Sequence, residues 1–274
     1  TSSAASDVYK RQLNDPGVDQ QAILTELGDP NLILLQSTDE LPVNWSGGIT
    51  AGTSVDVFSD GRFGVIATAS LSNKYRNRFI TRQAALNGDL DLDQTGNQFQ
   101  TDQRILANAM LGFGLEVGEH RFRLTNLYIR DSLKRASLAQ ISDLTDDDDD
   151  LFQNTGWYER QLLDTQFVGE LEFGDLSIDL RGGYAQTQRE APNEWEFVYS
   201  RDLNPSGGFD DIYLNLQNGG QRGRTTVAFS DLTEDLYYGG LDVSYQLTNW
   251  LGVTVGGAYT CLLYTSPSPR DRYG

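Results

Sequence analysis

Two acidic clusters and one aromatic stretch are the places where side chains of this sequence could do chemistry. Asp89-Leu90-Asp91-Leu92-Asp93 sets carboxylates at alternate positions, the spacing with which a calcium loop opens. Gln94 stands where such a loop needs its sharp-turn glycine, and Gln100 where it needs a bidentate Glu. A solvated acidic loop is the commoner meaning of that pattern. The run Asp146–Asp150, with Asp143 before it, is denser. Adjacent carboxylates repel one another, so this run is expected to be extended and to hold cations only loosely. Asp89, Asp91, Asp93, Asp146, Asp148 and Asp150 are therefore the candidate ligands for weakly bound calcium, and no other cofactor is expected.

The stretch 190–233 is the best candidate for recognition. It carries Trp195, Phe197, Tyr199, Phe209 and Tyr213 among Asn, Gly and Arg residues. Aromatic rings beside amide and guanidinium groups suit stacking on sugars or flat ligands. Arg222 and Arg224, next to Gly219, Gly220 and Gly223, could attract an anionic ligand or neutralise nearby acids. A self-packed loop is the equal alternative. The lone histidine, His120, falls in a tight turn beside Gly118 and Glu119, where solvent exposure is the default. No nucleophile elbow, phosphate loop or metalloprotease motif is present, so no catalytic residue is assigned and an enzyme is not expected.

The two ends read differently from the rest. TSSAASDVYKRQ at 1–12 and CLLYTSPSPRDRYG at 261–274 resemble translated sequencing-adapter read-through, as found on metagenomic gene fragments. On that reading the native stretch is 13–260, an internal piece of something longer. Its charge is then −20 rather than −18, because four basic and two acidic residues leave with the ends. The single cysteine, Cys261, leaves too, and with it any disulfide, thiol nucleophile or zinc site. Strong acidity argues against nucleic acid as a partner, since phosphate binding needs clustered Lys and Arg.

Elements that could position these groups show a period of two. On 63–71 the odd positions are Phe63, Val65, Ala67, Ala69 and Leu71. On 163–173 they are Leu163, Thr165, Phe167, Gly169, Leu171 and Phe173. After Gly174 the apolar set becomes Leu176, Ile178, Leu180, Gly182 and Tyr184. Leu241, Val243, Tyr245 and then Leu251, Val253, Val255 and Tyr259 continue the pattern. Alternation of this kind puts one set on one face of a sheet. The run 121–130 is ambiguous, because Arg121 and Arg123 share a parity with Leu127 and Ile129. Eight strands are expected, at about 46–58, 62–83, 102–116, 121–135, 157–172, 176–189, 234–246 and 250–260. Tight turns at 59–61, 117–120, 173–175 and 247–249 alternate with polar loops at 84–101, 136–156 and 190–233.

Alternation alone fits a soluble sandwich as well as a membrane barrel. Long runs, loops that are long on one side only, and aromatics near strand ends favour the barrel. The fold class expected is all-β: part of an antiparallel up-and-down transmembrane barrel, with short periplasmic turns and long extracellular loops. No apolar run is long enough for a membrane helix, and a barrel needs none.

Several strings carry a family resemblance. Trp157-Tyr158-Glu159-Arg160-Gln161-Leu162-Leu163, followed by Gln166, Gly169 and Glu170, resembles a barrel strand of TonB-dependent receptors. Gly64-Val65-Ile66-Ala67 leading into Ser72-Asn73-Lys74-Tyr75-Arg76 is similar, as is Leu41-Pro42-Val43-Asn44-Trp45 with Gly47 and Gly48. The resemblance implies a large Gram-negative outer-membrane barrel with an N-terminal plug, energised through the TonB complex. It implies uptake of a scarce small-molecule ligand: an iron chelate, cobalamin or an oligosaccharide. A plug and a TonB box are not found in this chain. The alternatives are a passive porin-like channel, with a constriction loop folded inward, and a soluble or surface-attached β-sheet adhesion module.

Overall fold

The computed structural model describes residues 33–204, 206–215 and 223–265. Eight strands pair in chain order, all antiparallel, in one sheet. They are β1 (Trp45–Val57), β2 (Gly61–Ala85), β3 (Leu92–Val117), β4 (His120–Asp143), β5 (Asp148–Phe173), β6 (Leu176–Asp202), β7 (Arg224–Thr248) and β8 (Leu251–Thr265). β1 and β8 are the two edges, and the sheet is not closed between them. A 3-10 turn, Gly208–Asp211, lies in the described part of the β6–β7 connection. Among the described residues no helix is long and apolar enough to cross a membrane.

The tight turns fall where the sequence places them. Gly118-Glu119 joins β3 to β4 and Gly174-Asp175 joins β5 to β6. Gly118 and Gly174 have φ of 57° and 66°. Two-residue hairpin turns need such left-handed backbone to match the strand twist, and only glycine adopts it without strain at Cβ. Neighbouring turns are tied together: the Gly118 N–H donates to the Asp60 carbonyl (3.1 Å), and the Gln246 N–H to that of Asp175 (2.8 Å).

The opposite end corrects the sequence reading. Segments 84–101, 136–156 and 190–233, expected to be loops, are mostly strand; the connections shrink to 86–91, 144–147 and 203–223. Strands β2 to β7 therefore run 24–27 residues. About 10 tilted residues suffice to cross a bilayer. Counted from the tight turns, more than half of each of these strands lies beyond that span as a β-ribbon. The period-two signal fades there because neither face meets hydrocarbon, while the backbone ladder continues unchanged.

Register resolves the ambiguous run. Antiparallel partners share a face, and Phe122 lies opposite Leu115 and Gly169 while Leu124 lies opposite Phe113 and Phe167. The Phe122 and Phe167 rings stack at 6.4 Å. Arg121 and Arg123 thus belong to the polar face, where Arg121 reaches Glu170 at 3.6 Å.

Burial is inverted relative to a water-soluble domain. Phe63, Phe113, Phe167, Leu241 and Val255 share one face, and Phe167, Leu241 and Val255 are among many large apolar residues left exposed. Among the described residues the buried apolar ones are only Ala139, Ala191 and Val198, whereas Gln98, Gln100, Asp102, Ser137 and Asp149 are also buried. Contiguous exposed apolar surface of this extent is untenable in water and expected against lipid. An Arg at Phe167 should therefore cost about 2–4 kcal/mol of folding stability near the bilayer midplane. Arg at Gln166, one residue along and on the polar face, should be nearly neutral. Urea titration of both variants in lipid vesicles checks this assignment; equal losses contradict it.

Candidate functional site

One residue decides what the ribbon end of the sheet presents. Pro192 lies inside β6, where its missing N–H cannot serve the ladder. The register shifts there against both neighbours, between Ala191 and Glu194 toward β7 and between Trp157 and Glu159 toward β5. A bulge absorbs the proline and reverses the facing of everything after it. Before it, even positions such as Tyr184 and Gln188 share the face of Phe167 and Gln161. After it, odd positions do: Asn193, Trp195, Phe197, Tyr199 and Arg201.

Trp195, Phe197 and Tyr199 are therefore strand residues rather than loop residues. At i, i+2 and i+4 they form a ladder, with Trp195 and Phe197 stacked at 5.6 Å and 6° and Phe197 and Tyr199 at 6.5 Å and 22°. Arg224 belongs to the opposite face and pairs with Glu196 at 2.8 Å. Phe209 sits in the 3-10 turn, and its side chain lies outside the described residues. Arg222 also lies outside them.

The ladder continues into a clasp that the sequence does not reveal. Asp149 is 1% exposed. It accepts hydrogen bonds from Tyr213 Oη (2.6 Å), Arg201 Nε (2.8 Å), Gln140 Nε2 (3.0 Å) and Ser142 Oγ (3.2 Å). The Arg201 guanidinium stands 4.4 Å from the centre of the Tyr213 ring. A buried carboxylate is tolerable only when paired and fully hydrogen-bonded, as here. Reciprocal backbone bonds between Ser200 and Leu214, both 3.0 Å, fasten the same segment. Burial pulls the Asp149 carboxyl upward. The bonds from Tyr213, Arg201, Gln140 and Ser142 outweigh it and hold the group below the usual carboxylate range. Burial, and then the bond to Asp149, push the Tyr213 phenol up to about 12.

Among the described residues, no three His, Cys, Asp or Glu side chains are grouped so as to hold a metal ion. Asp91 accepts from Asn87 Nδ2 (2.8 Å), Asp93 from Thr145 Oγ1 (2.6 Å) and Asp150 from the Ser200 hydroxyl. Asp89 uses its backbone N–H to bind Asn87 Oδ1 (3.0 Å), and Asp146 uses its own to bind Asp143 (3.0 Å). Asp148 faces Asp143 and Asp202 across the ladder. Strand pairing sends Asp148 and Asp150 to one face and Asp149 to the other, so the acidic run is split rather than pooled.

A second polar assembly lies on the other face. Asp102 binds Arg78, Arg135 Nε (2.8 Å) and Gln100 Nε2 (2.8 Å), and Gln98 Nε2 donates to Gln100 (3.2 Å). Arg104 grips Asp131 through two bonds of 2.7 and 2.8 Å. Cross-strand pairing creates these contacts, and sequence spacing carries no sign of them.

Comparison with known proteins adds little. No family model and no curated protein matches the chain. Among solved structures, the ferripyoverdine receptor of the Pseudomonas aeruginosa outer membrane aligns at 12% identity and a TM-score of 0.32. That alignment covers 84% of this chain and 39% of the receptor. A siderophore receptor of Acinetobacter baumannii aligns at 8% identity and a TM-score of 0.20, over 84% of this chain and 47% of that one. The chain thus spans less than half of either receptor, and likenesses this weak carry no functional argument.

Replacing Arg201 with Ala leaves Asp149 buried and unpaired, which should destabilise the segment by about 3 kcal/mol or more. Amide-exchange protection of 203–215 measures it. The pH window follows from the two shifts. The lowered Asp149 contributes fully above its ordinary value of 3.8 and loses its contribution as pH falls through the depressed value. The raised Tyr213 contributes fully below its ordinary 10.0 and loses its contribution as pH rises toward about 12. Protection should therefore be flat between those limits and fall at both ends. A drop near neutral pH contradicts the clasp.

Proposed function

We propose that this chain is part of the barrel of a TonB-dependent outer-membrane receptor that takes up a scarce ligand. The iron chelate, cobalamin or oligosaccharide implied by the resemblance remains the ligand class. The observation that carries the reading is the inverted sheet. An apolar face fit for lipid occupies the end with tight turns, and paired ribbons extend well beyond a bilayer at the other end only. Such ribbons suit capture from outside, and the β5–β7 tip with Trp195, Phe197, Tyr199 and Tyr213 is the proposed capture surface; Arg224 is on the opposite face with Glu196, and Arg222 and the Phe209 side chain lie outside the described residues. The TonB dependence rests on the short strings around Trp157–Leu163 and Gly64–Arg76.

A porin reading needs its long connection folded inward as a constriction. Here Tyr213 binds Asp149 on the face that continues the lipid-facing one, so the described part of 203–223 supports the receptor reading instead.

Sidedness is directly testable. With Cys261 replaced by Ser, a cysteine at Asp147 or Asn204 should react with a membrane-impermeant maleimide on intact cells, and one at Asp60 or Asp175 should not. The reverse pattern overturns the orientation. In the parent gene, a plug with a TonB box upstream is expected; a signal peptide leading straight into strands overturns the receptor class.

A further inference from the structure

The polar face carries two like charges set directly against one another. Arg160 of β5 and Arg189 of β6 are cross-strand partners, flanked in the same row by Asp131 of β4 and Leu232 of β7. Residues directly opposite in an antiparallel pair hold their Cβ atoms about 5 Å apart, and like charges there repel. Both arginines are exposed, and neither makes an ion pair among the described residues. Their row lies just beyond the bilayer span, counted from the Gly174 turn. A cavity of about 340 Å³ lies over it.

Acids of the same face around this pair are already engaged. Asp131, which lines the cavity, is gripped by Arg104 through two bonds. Glu234, one row toward the turns, accepts from Thr187 Oγ1 (3.3 Å). Glu194 binds the Tyr158 hydroxyl, and Glu196 is held by Arg224. Glu159 and Glu190 adjoin the two arginines in sequence but stand on the other face, where Arg130 takes Glu159. In a chain of net charge −18, the repulsion between Arg160 and Arg189 is thus left without an internal counter-charge. The cavity also has an apolar floor on this polar face, made by Ile129, Leu162 and Leu232.

We propose that Arg160 and Arg189 together bind a carboxylate-bearing organic anion whose apolar body rests on Ile129, Leu162 and Leu232. A guanidinium is a planar fork that takes a carboxylate through two parallel hydrogen bonds, and two such forks side by side suit a ligand with more than one carboxylate. A bound polyanion replaces the repulsion between the arginines with attraction to a common partner. The cavity has the size usual for a small-molecule site. The inference rests on the receptor reading, in which this face lines the barrel interior. It deepens that reading by making the ligand an anion with an apolar body rather than a neutral oligosaccharide.

The test uses the full chain inserted into phosphatidylcholine vesicles and titrated calorimetrically with trimesate, an aromatic tricarboxylate, and with its neutral triamide. Trimesate should bind and the triamide should not. Arg160→Ala and Arg189→Ala should each weaken trimesate about tenfold or more. Arg160→Lys keeps the charge but loses the fork, so its affinity should fall between. Removing one member of a repelling pair should leave the ligand-free protein at least as stable as the parent, which separates binding from structure. Arg123→Ala, also on the polar face but opposite Gly114 and Val168 near the turns, should bind as the parent does. Inserted protein that ignores trimesate, or binds it equally after either alanine substitution, overturns the site while leaving the barrel intact. Tight binding of the triamide overturns the anionic class. Failure to insert strikes the receptor reading, and the inference with it.

Discussion

Hydrocarbon offers no hydrogen-bond partner, so every backbone N–H and C=O that enters it must pair within the protein. That constraint organises this chain. It makes the antiparallel ladder continuous near the tight turns, and the same ladder carries on past the bilayer span in strands of up to 27 residues. It also frees the side chains from the usual division of labour. One face can be apolar and exposed while the other hides glutamines and aspartate, because the backbone needs neither face to be dry. The edges β1 and β8 carry the same demand for partners that the interior strands have met.

Within that ladder, two carboxylates are drawn out of water. Asp102 and Asp149 are each nearly covered and each held by several donors. They lie on opposite faces of the sheet. Asp102 ties β2, β3 and β4 together from the polar side. Asp149 fastens the connection after β6 to the end of β5 from the other. Charged residues elsewhere pair across strands at the surface, where such contacts contribute little to stability. The two buried carboxylates are thus the positions where removing a partner should be felt.

The Pro192 bulge links fold to recognition. Without it, the alternation of β6 would carry Glu194 and Glu196 to the lipid-side face and turn Trp195, Phe197 and Tyr199 away. With it, the aromatic ladder, Arg201 and Asn193 all share the face of Trp157 and Asp149. A residue that cannot donate to the ladder therefore sets the chemistry of the ribbon beyond it.

What the sequence determined by itself was the part governed by local rules. The apolar alternation from Phe63 to Leu71, from Leu163 to Phe173 and from Leu241 to Tyr259 marks strands against lipid, and Gly118 and Gly174 mark their reversals. Those signals are local because side-chain direction has a period of two and left-handed turns favour glycine. Only the tertiary structure decided the rest. The facing of Phe122 and Leu124 came from their partners across β3 and β5, since their own run is balanced between two parities. The ribbons at 92–101, 136–143 and 148–156 carry no apolar alternation, so only their ladders reveal them as strand. Asp149 was indistinguishable from its four acidic neighbours until pairing set it against Arg201 and Tyr213. These choices lie beyond sequence pattern for one physical reason: they depend on which strand lies alongside and in what register, and a single inserted residue reverses them.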